Sequence, residues 1–124
     1  MLQHIANKPS EEFYTDERCY IVELLNDEAS PQMSMARCRV LPGVITQLHA
    51  LEGTQETYFI EQGSGVMDDG KGDLIEVGVG DSVKIGRNCP QRIRNTGDND
   101  LVFLVVCQPR FVPKCYRNLE QSDS

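Results

Sequence analysis

Two histidines stand in the chain, His4 and His49, and only the second sits in a pattern that suggests chemistry. In "PGVITQLHALEGTQETYFIEQGSG", residues 42–65, Gly43 precedes His49, Glu56 follows it, and Gly63 closes the stretch. An imidazole and a carboxylate at this spacing offer a nitrogen and an oxygen to a divalent cation. Without a metal they offer a base and an acid to a bound molecule. Glu56 alternates with Tyr58 and Ile60, so its side chain is expected on an inward face. A buried carboxyl group needs a cation, a metal or a proton. A third polar group, Gln91, lies in "GDSVKIGRNCPQRIRN", where it alternates with Ile93 against Arg92 and Arg94. It can serve either as an amide ligand or as the partner that fixes the His49 tautomer.

The elements that must position these groups read as strands. Turn formers recur at short intervals: Pro31, "PG" at 42, "EGT" at 52, "GSG" at 63, "DDGKGD" at 68, "GVGD" at 78, "NCP" at 88, "NTGDND" at 95 and Pro109. Between them lie short runs rich in Val, Ile, Phe and Tyr, the signature of an all-β sandwich or barrel. No helical period is sustained, and Gly43 and Gly53 bracket "TQLHALE" too closely for a stable helix. Period-2 alternation places Ile45, Gln47, His49 and Leu51 on one face, and Ala36, Cys38 and Val40 opposite Arg37 and Arg39. "LVFLVVC", residues 101–107, is apolar on both faces, so something is expected to cover its outer side; a second subunit is the simplest cover. The expected organisation is an N-terminal arm (1–17), one barrel (18–110) and a C-terminal tail (111–124).

Bulk properties set the limits. At 124 residues the chain is one domain with room for a real core. A net charge of −7 repels phosphate backbones, which argues against nucleic acid. No run of about 18 apolar residues suggests a membrane span, and the N-terminus lacks the basic and apolar segments of a secretion signal. A cytoplasmic protein is expected. The five cysteines are odd in number and form no C-x-x-C pair, so reduced thiols are expected.

With these residues on the page a resemblance can be stated. Residues 43–63 resemble the first cupin motif through Gly43, His49, Glu56 and Gly63, with Leu51 where that motif has a second histidine. Residues 80–95 resemble the second motif through Gly80, Asp81, Pro90 and Asn95, with Gln91 in the place of its histidine. The resemblance implies a cupin double-stranded β-helix, a small jelly-roll barrel, with a divalent metal near its centre and a tendency to form homodimers. Mapped onto this chain, the metal ligands would be His49, Glu56 and Gln91. The pocket would be lined by Cys38, Gln47, Leu51, Tyr58, Ile93 and Cys107. Manganese, iron, nickel or zinc would be the ion, since a histidine-poor donor set is permissive. The partner would be a small oxygen-bearing metabolite, with no nucleic acid or membrane. Two functions follow: a metal-dependent protein, including an enzyme of oxygenase, isomerase or lyase type, or a metal-free module that binds or senses a small molecule.

Overall fold

The computed structural model describes residues 1–120 of the chain. Its strands, in order, are β1 (Phe13–Tyr14), β2 (Tyr20–Leu25), β3 (Ser34–Val40), β4 (His49–Leu51), β5 (Gln55–Gln62), β6 (Ser64–Asp68), β7 (Leu74–Gly78), β8 (Ser82–Ile85), β9 (Arg92–Asn95), β10 (Leu101–Gln108) and β11 (Tyr116–Asn118). Two short 3-10 turns, Pro9–Glu11 and Pro113–Cys115, are the helical pieces among the described residues. Each begins with proline, whose fixed φ suits a first helical position and whose missing N–H is no loss there.

Two antiparallel layers face each other. One is a six-stranded sheet in the order β1-β2-β3-β10-β5-β8. The other is built from β7-β6-β9 and β11-β4, joined by single bridges between Ile45 and Arg94 and between His49 and Gln91. This is the jelly-roll, double-stranded β-helix arrangement, in which two layers bury one core between them. Val40, Ile60, Ile93, Leu101 and Phe103 fill that core and are at most 2% exposed. The turn from β5 to β6 depends on Gly63. Its φ is +84°, and a Cβ there would lie 2.9 Å from the carbonyl oxygen of Asp100.

The alternation read from the sequence reappears in burial. In β10, Leu101, Phe103, Val105 and Cys107 point inward, while Val102, Leu104 and Val106 are half-buried on the outer wall. Three of the outward arginines pair within the chain: Arg37 with Glu61 (3.1 Å), Arg39 with Glu12 (2.6 Å) and Asp100 (3.0 Å), and Arg92 with Asp68 (2.8 Å). Arg39 also lies 4.2 Å above the ring of Tyr20. All five cysteines are free. Among the described residues no helix is long and apolar enough to cross a membrane.

The ends of the chain are structural. In the arm, β1 pairs with β2. The stretch expected as a tail from residue 111 returns to the barrel instead, where β11 pairs with β4 and so lies beside His49. Residues 121–124 lie outside the described part.

Candidate functional site

One backbone pairing creates the centre of the site. His49 N–H donates to the Gln91 carbonyl oxygen (3.0 Å) and Gln91 N–H donates back to that of His49 (2.8 Å). Residues that exchange both bonds stand opposite each other, with side chains on one face. From the facing sheet, β5 brings Glu56 and Tyr58 across to meet them. The structure therefore brings together His49, Glu56 and Gln91, the three residues singled out from the sequence.

Their contacts form a chain. The Tyr58 hydroxyl donates to Gln91 Oε1 (2.5 Å), and Gln91 Nε2 donates to Glu56 Oε1. On the other side, His49 Nδ1 lies 2.8 Å from the carbonyl oxygen of Gln47. A carbonyl can only accept, so Nδ1 carries a proton there and Nε2 is the nitrogen turned to the interior. Nε2 is 3.7 Å from Glu17 Oε1 and 4.0 Å from Glu56 Oε1, beyond hydrogen-bond reach of either. The imidazole is stacked on Tyr116 with ring centres 5.0 Å apart. The Tyr116 hydroxyl in turn donates to Gln47 Oε1 (2.5 Å), so both ends of Gln47 brace the imidazole.

Electrostatics follow from burial. Glu56 is 6% exposed, and burial pushes its pKa up to about 8. The hydrogen bond from Gln91 opposes that shift, and the nearby charge of Glu17 adds to it. Glu56 is thus a neutral acid at pH 7. Burial also raises the Tyr58 and Tyr116 phenols, which stay protonated donors. The Cys38 thiol is raised by its hydrogen bond with Cys19 and by burial, and Cys107 by burial, so neither supplies a thiolate.

A divalent first-row metal needs ionised carboxylates, free imidazole nitrogens or thiolates in convergent positions. Here His49 Nε2 and the Glu17 carboxylate are the two ready donors. Glu56 Oε1 already accepts from Gln91, the Gln91 oxygen accepts from Tyr58, and Leu51 presents methyl groups. Among the described residues no three His, Cys, Asp or Glu side chains cluster as a metal site. This donor set does not fit a tightly held divalent metal.

The cavity beside these groups has a volume of about 490 Å³ and lies between the two sheets. Cys38, Leu51, Tyr58 and Cys107 line it. Gln47 and Ile93 do not. Ile93 is fully buried in the core. Gln47 misses the cavity because residues 46–48 stand opposite only 92 and 93, between the Ile45–Arg94 and His49–Gln91 bridges. One extra residue is a β-bulge, and it reverses the parity of the side chains. Thr46 turns inward instead, 4% exposed, its hydroxyl accepting from the N–H of Ile93.

Sequence reading missed Glu17 and Tyr116. Glu17 reaches the cavity because Arg18, at φ 70°, turns the arm back. Arg18 then ties down the turn, donating from Nε to the Ile45 carbonyl oxygen (2.9 Å) and from its other nitrogens to Glu120 (3.1 and 2.6 Å). No alternation marks either residue; an aromatic close behind a proline, as in "PKCY", was the one available hint for Tyr116.

Comparison with known proteins agrees with this architecture. A family model described as a cupin domain matches residues 36–107. A relative from Thermotoga maritima named oxalate-binding protein is 35% identical over 88 residues, covering 69% of this chain and 72% of the relative. The crystal structure of a predicted oxalate decarboxylase from Thermotoga maritima superposes with a TM-score of 0.72 and 29% identity, over 85% of this chain and 99% of that one. An uncharacterised protein with a double-stranded β-helix domain from Klebsiella pneumoniae reaches a TM-score of 0.78 at 15% identity, over 97% of this chain and all of its own.

Proposed function

The chain belongs to the cupin family, and from that premise we propose that its barrel binds a small polar molecule without a metal. The proposed contacts are the neutral carboxyl group of Glu56 and the free Nε2 of His49. The observation that carries this reading is the hydrogen-bond chain from Tyr58 through Gln91 to Glu56. It occupies the amide that would otherwise be a metal's third ligand, and it aims the Glu56 carboxyl group into the cavity.

The two Thermotoga maritima relatives are both named for a small molecule, oxalate, which supports small-molecule binding by this barrel. Glu56 Oε1 accepts from the Gln91 amide and lies 4.0 Å from His49 Nε2, so the carboxyl proton belongs on Oε2, from which a ligand oxygen can accept while donating to Nε2. A protonated carboxyl group and a free imidazole nitrogen around one atom are also the acid and base of a proton transfer. The divalent metal through His49, Glu56 and Gln91 gives way in this reading to that pair. Pairing of two chains over the half-buried outer face of β10 belongs to the same proposal, since Val102, Leu104 and Val106 lie there.

The test is elemental analysis of tag-free protein, with its mass by sedimentation, beside the His49→Ala and Glu56→Gln variants. The expected result is a dimer without stoichiometric manganese, iron, nickel or zinc in any of the three. Near-stoichiometric metal in the wild type, lost in both variants, would overturn the metal-free reading; a monomeric mass would remove the dimer.

A further inference from the structure

The charge of the cavity decides what kind of molecule suits it. None of the described residues lining it is a lysine or arginine. Four are acidic: Glu56 inside, Glu17 at the imidazole, and Asp16 and Glu23 at the exposed rim. The donors are mostly spent within the protein. Tyr58 donates to Gln91, Tyr116 to Gln47, and the Gln91 amide to Glu56. What faces an incoming molecule is the carboxyl group of Glu56, the Glu17 carboxylate, the Ser34 and Thr46 hydroxyls, and the 96%-buried His49, whose Nε2 has no hydrogen-bond partner.

Most of the remaining wall is apolar, with Ile21, Met35, Phe103, Val105 and Phe111 among its residues and Thr15, Asn26, Ser34 and Thr46 as the polar exceptions. A volume of about 490 Å³ is in the range of pockets that enclose ring-bearing molecules, far beyond the size of a two-carbon dianion.

Resting on the metal-free reading above, we infer that this cavity selects a molecule with an apolar body and a hydrogen-bond-donating head, a hydroxyl or a protonated amine, and rejects carboxylates such as oxalate. An amine head donates to both His49 Nε2 and the Glu17 carboxylate, whereas a hydroxyl head donates its one proton to one of them and accepts from Glu56. The body lies against Phe103, Met35 and Phe111. A carboxylate in the same place meets Glu17 and finds no cation. Like charges about 4 Å apart near a protein surface disfavour binding by roughly a thousandfold.

The experiment uses heads matched on one body: 2-phenylethanol, 2-phenylethylamine and phenylacetate, with oxalate added. Binding is read by ligand-observed NMR and titration calorimetry, with and without EDTA. The expected result is that the alcohol or the amine binds at least about a hundredfold more tightly than phenylacetate. Oxalate is expected to show no saturation, and EDTA to change nothing. Glu17→Gln should narrow the gap between amine and carboxylate, while leaving the fold intact by circular dichroism. Phenylacetate or oxalate binding as tightly as the alcohol and amine, unchanged by EDTA, would overturn the inference and leave the metal-free reading standing. Carboxylate binding that EDTA abolishes would instead overturn the metal-free reading. Failure of both the alcohol and the amine to bind the folded protein also overturns the inference.

Discussion

Strand β9 serves both ends of the barrel, and the two ends are built on opposite rules. At one end stands Asn95, 1% exposed, with its polar side-chain atoms all in use. Its Nδ2 donates to the carbonyl oxygens of Val40 (2.9 Å) and Asn99 (2.8 Å), and its Oδ1 accepts from the N–H of Gly97 (2.9 Å). Beside it Gly65 leaves no room for a side chain, since a Cβ would lie 2.7 Å from the Arg94 carbonyl oxygen. At the other end, just before β9, Gln91 engages both ends of its own amide yet leaves the neighbouring His49 nitrogen free and Glu56 neutral. The first end spends its polar groups on holding the chain; the second keeps polar groups available at some cost in stability. Within one small fold, the residues that secure the jelly roll and those that meet a ligand are thus separable.

The sharpest way to break that comparison is to remove one side chain from each end. Asn95→Ala takes a partner from the buried Val40 carbonyl and from the part-buried Asn99 carbonyl and Gly97 N–H, a loss of about 3 kcal/mol in unfolding free energy. His49→Ala removes one stacked ring and one hydrogen bond, about 1–2 kcal/mol, because its Nε2 was never paired. Urea unfolding of both variants checks the order. Equal losses would mean that the cavity end supports the fold as much as the sealed end does.

A smaller and more diagnostic effect is expected from pH. Glu56 keeps its proton in the folded barrel up to about pH 8, whereas in the unfolded chain it ionises in the usual carboxylate range. Between those two points the folded state binds the extra proton, so stability falls as pH rises. The contribution is complete below the unfolded pKa, is lost as pH climbs toward about 8, and changes no further above it. The slope is about 1.4 kcal/mol per pH unit inside that window. Urea midpoints at pH 5.5 and 7.5 should therefore show the wild type losing about 2–3 kcal/mol relative to Glu56→Gln, which carries the same hydrogen bond without the proton. Parallel behaviour of the two proteins would show that Glu56 is ionised when folded, and the acid at the centre of the site would be gone.

How far the sequence reveals this site depends on which forces place each residue. Glu56, Tyr58 and Ile60 sit inside a regular strand, so period-2 alternation puts all three inward, and it does the same for Cys38, Gln91 and Ile93. Alternation fails for Gln47 because the bulge opposite residues 92 and 93 carries no composition signal of its own. It also says nothing of depth, which is why Ile93 is core rather than cavity wall. Glu17 and Tyr116 escape for a different reason. They reach His49 through contacts between the two ends of the chain, and the sequence pattern of a short segment does not encode which distant partner it will find. The metal expectation rested on positions alone; the proton on Glu56 and the engaged Gln91 oxygen are products of packing.

The arm that delivers Glu17 gives the smallest of the expected effects, and it isolates how a turn is held. Arg18 sits at φ 70°, where a side chain costs roughly 1–2 kcal/mol, and its guanidinium offsets that by bonding Ile45 and Glu120. The ion pair is over a third exposed on the arginine side, so water screens much of it and the clasp as a whole contributes about 1 kcal/mol. Arg18→Ala loses the clasp and keeps the backbone strain, whereas Arg18→Gly loses the clasp and relieves the strain. Arg18→Gly should therefore unfold at a higher urea concentration than Arg18→Ala, by about 1 kcal/mol, and lie close to the wild type. An Arg18→Gly variant falling well below the wild type would mean that the guanidinium, rather than the left-handed turn, sets the position of Glu17. Ligand selectivity would then fall in both variants rather than in neither.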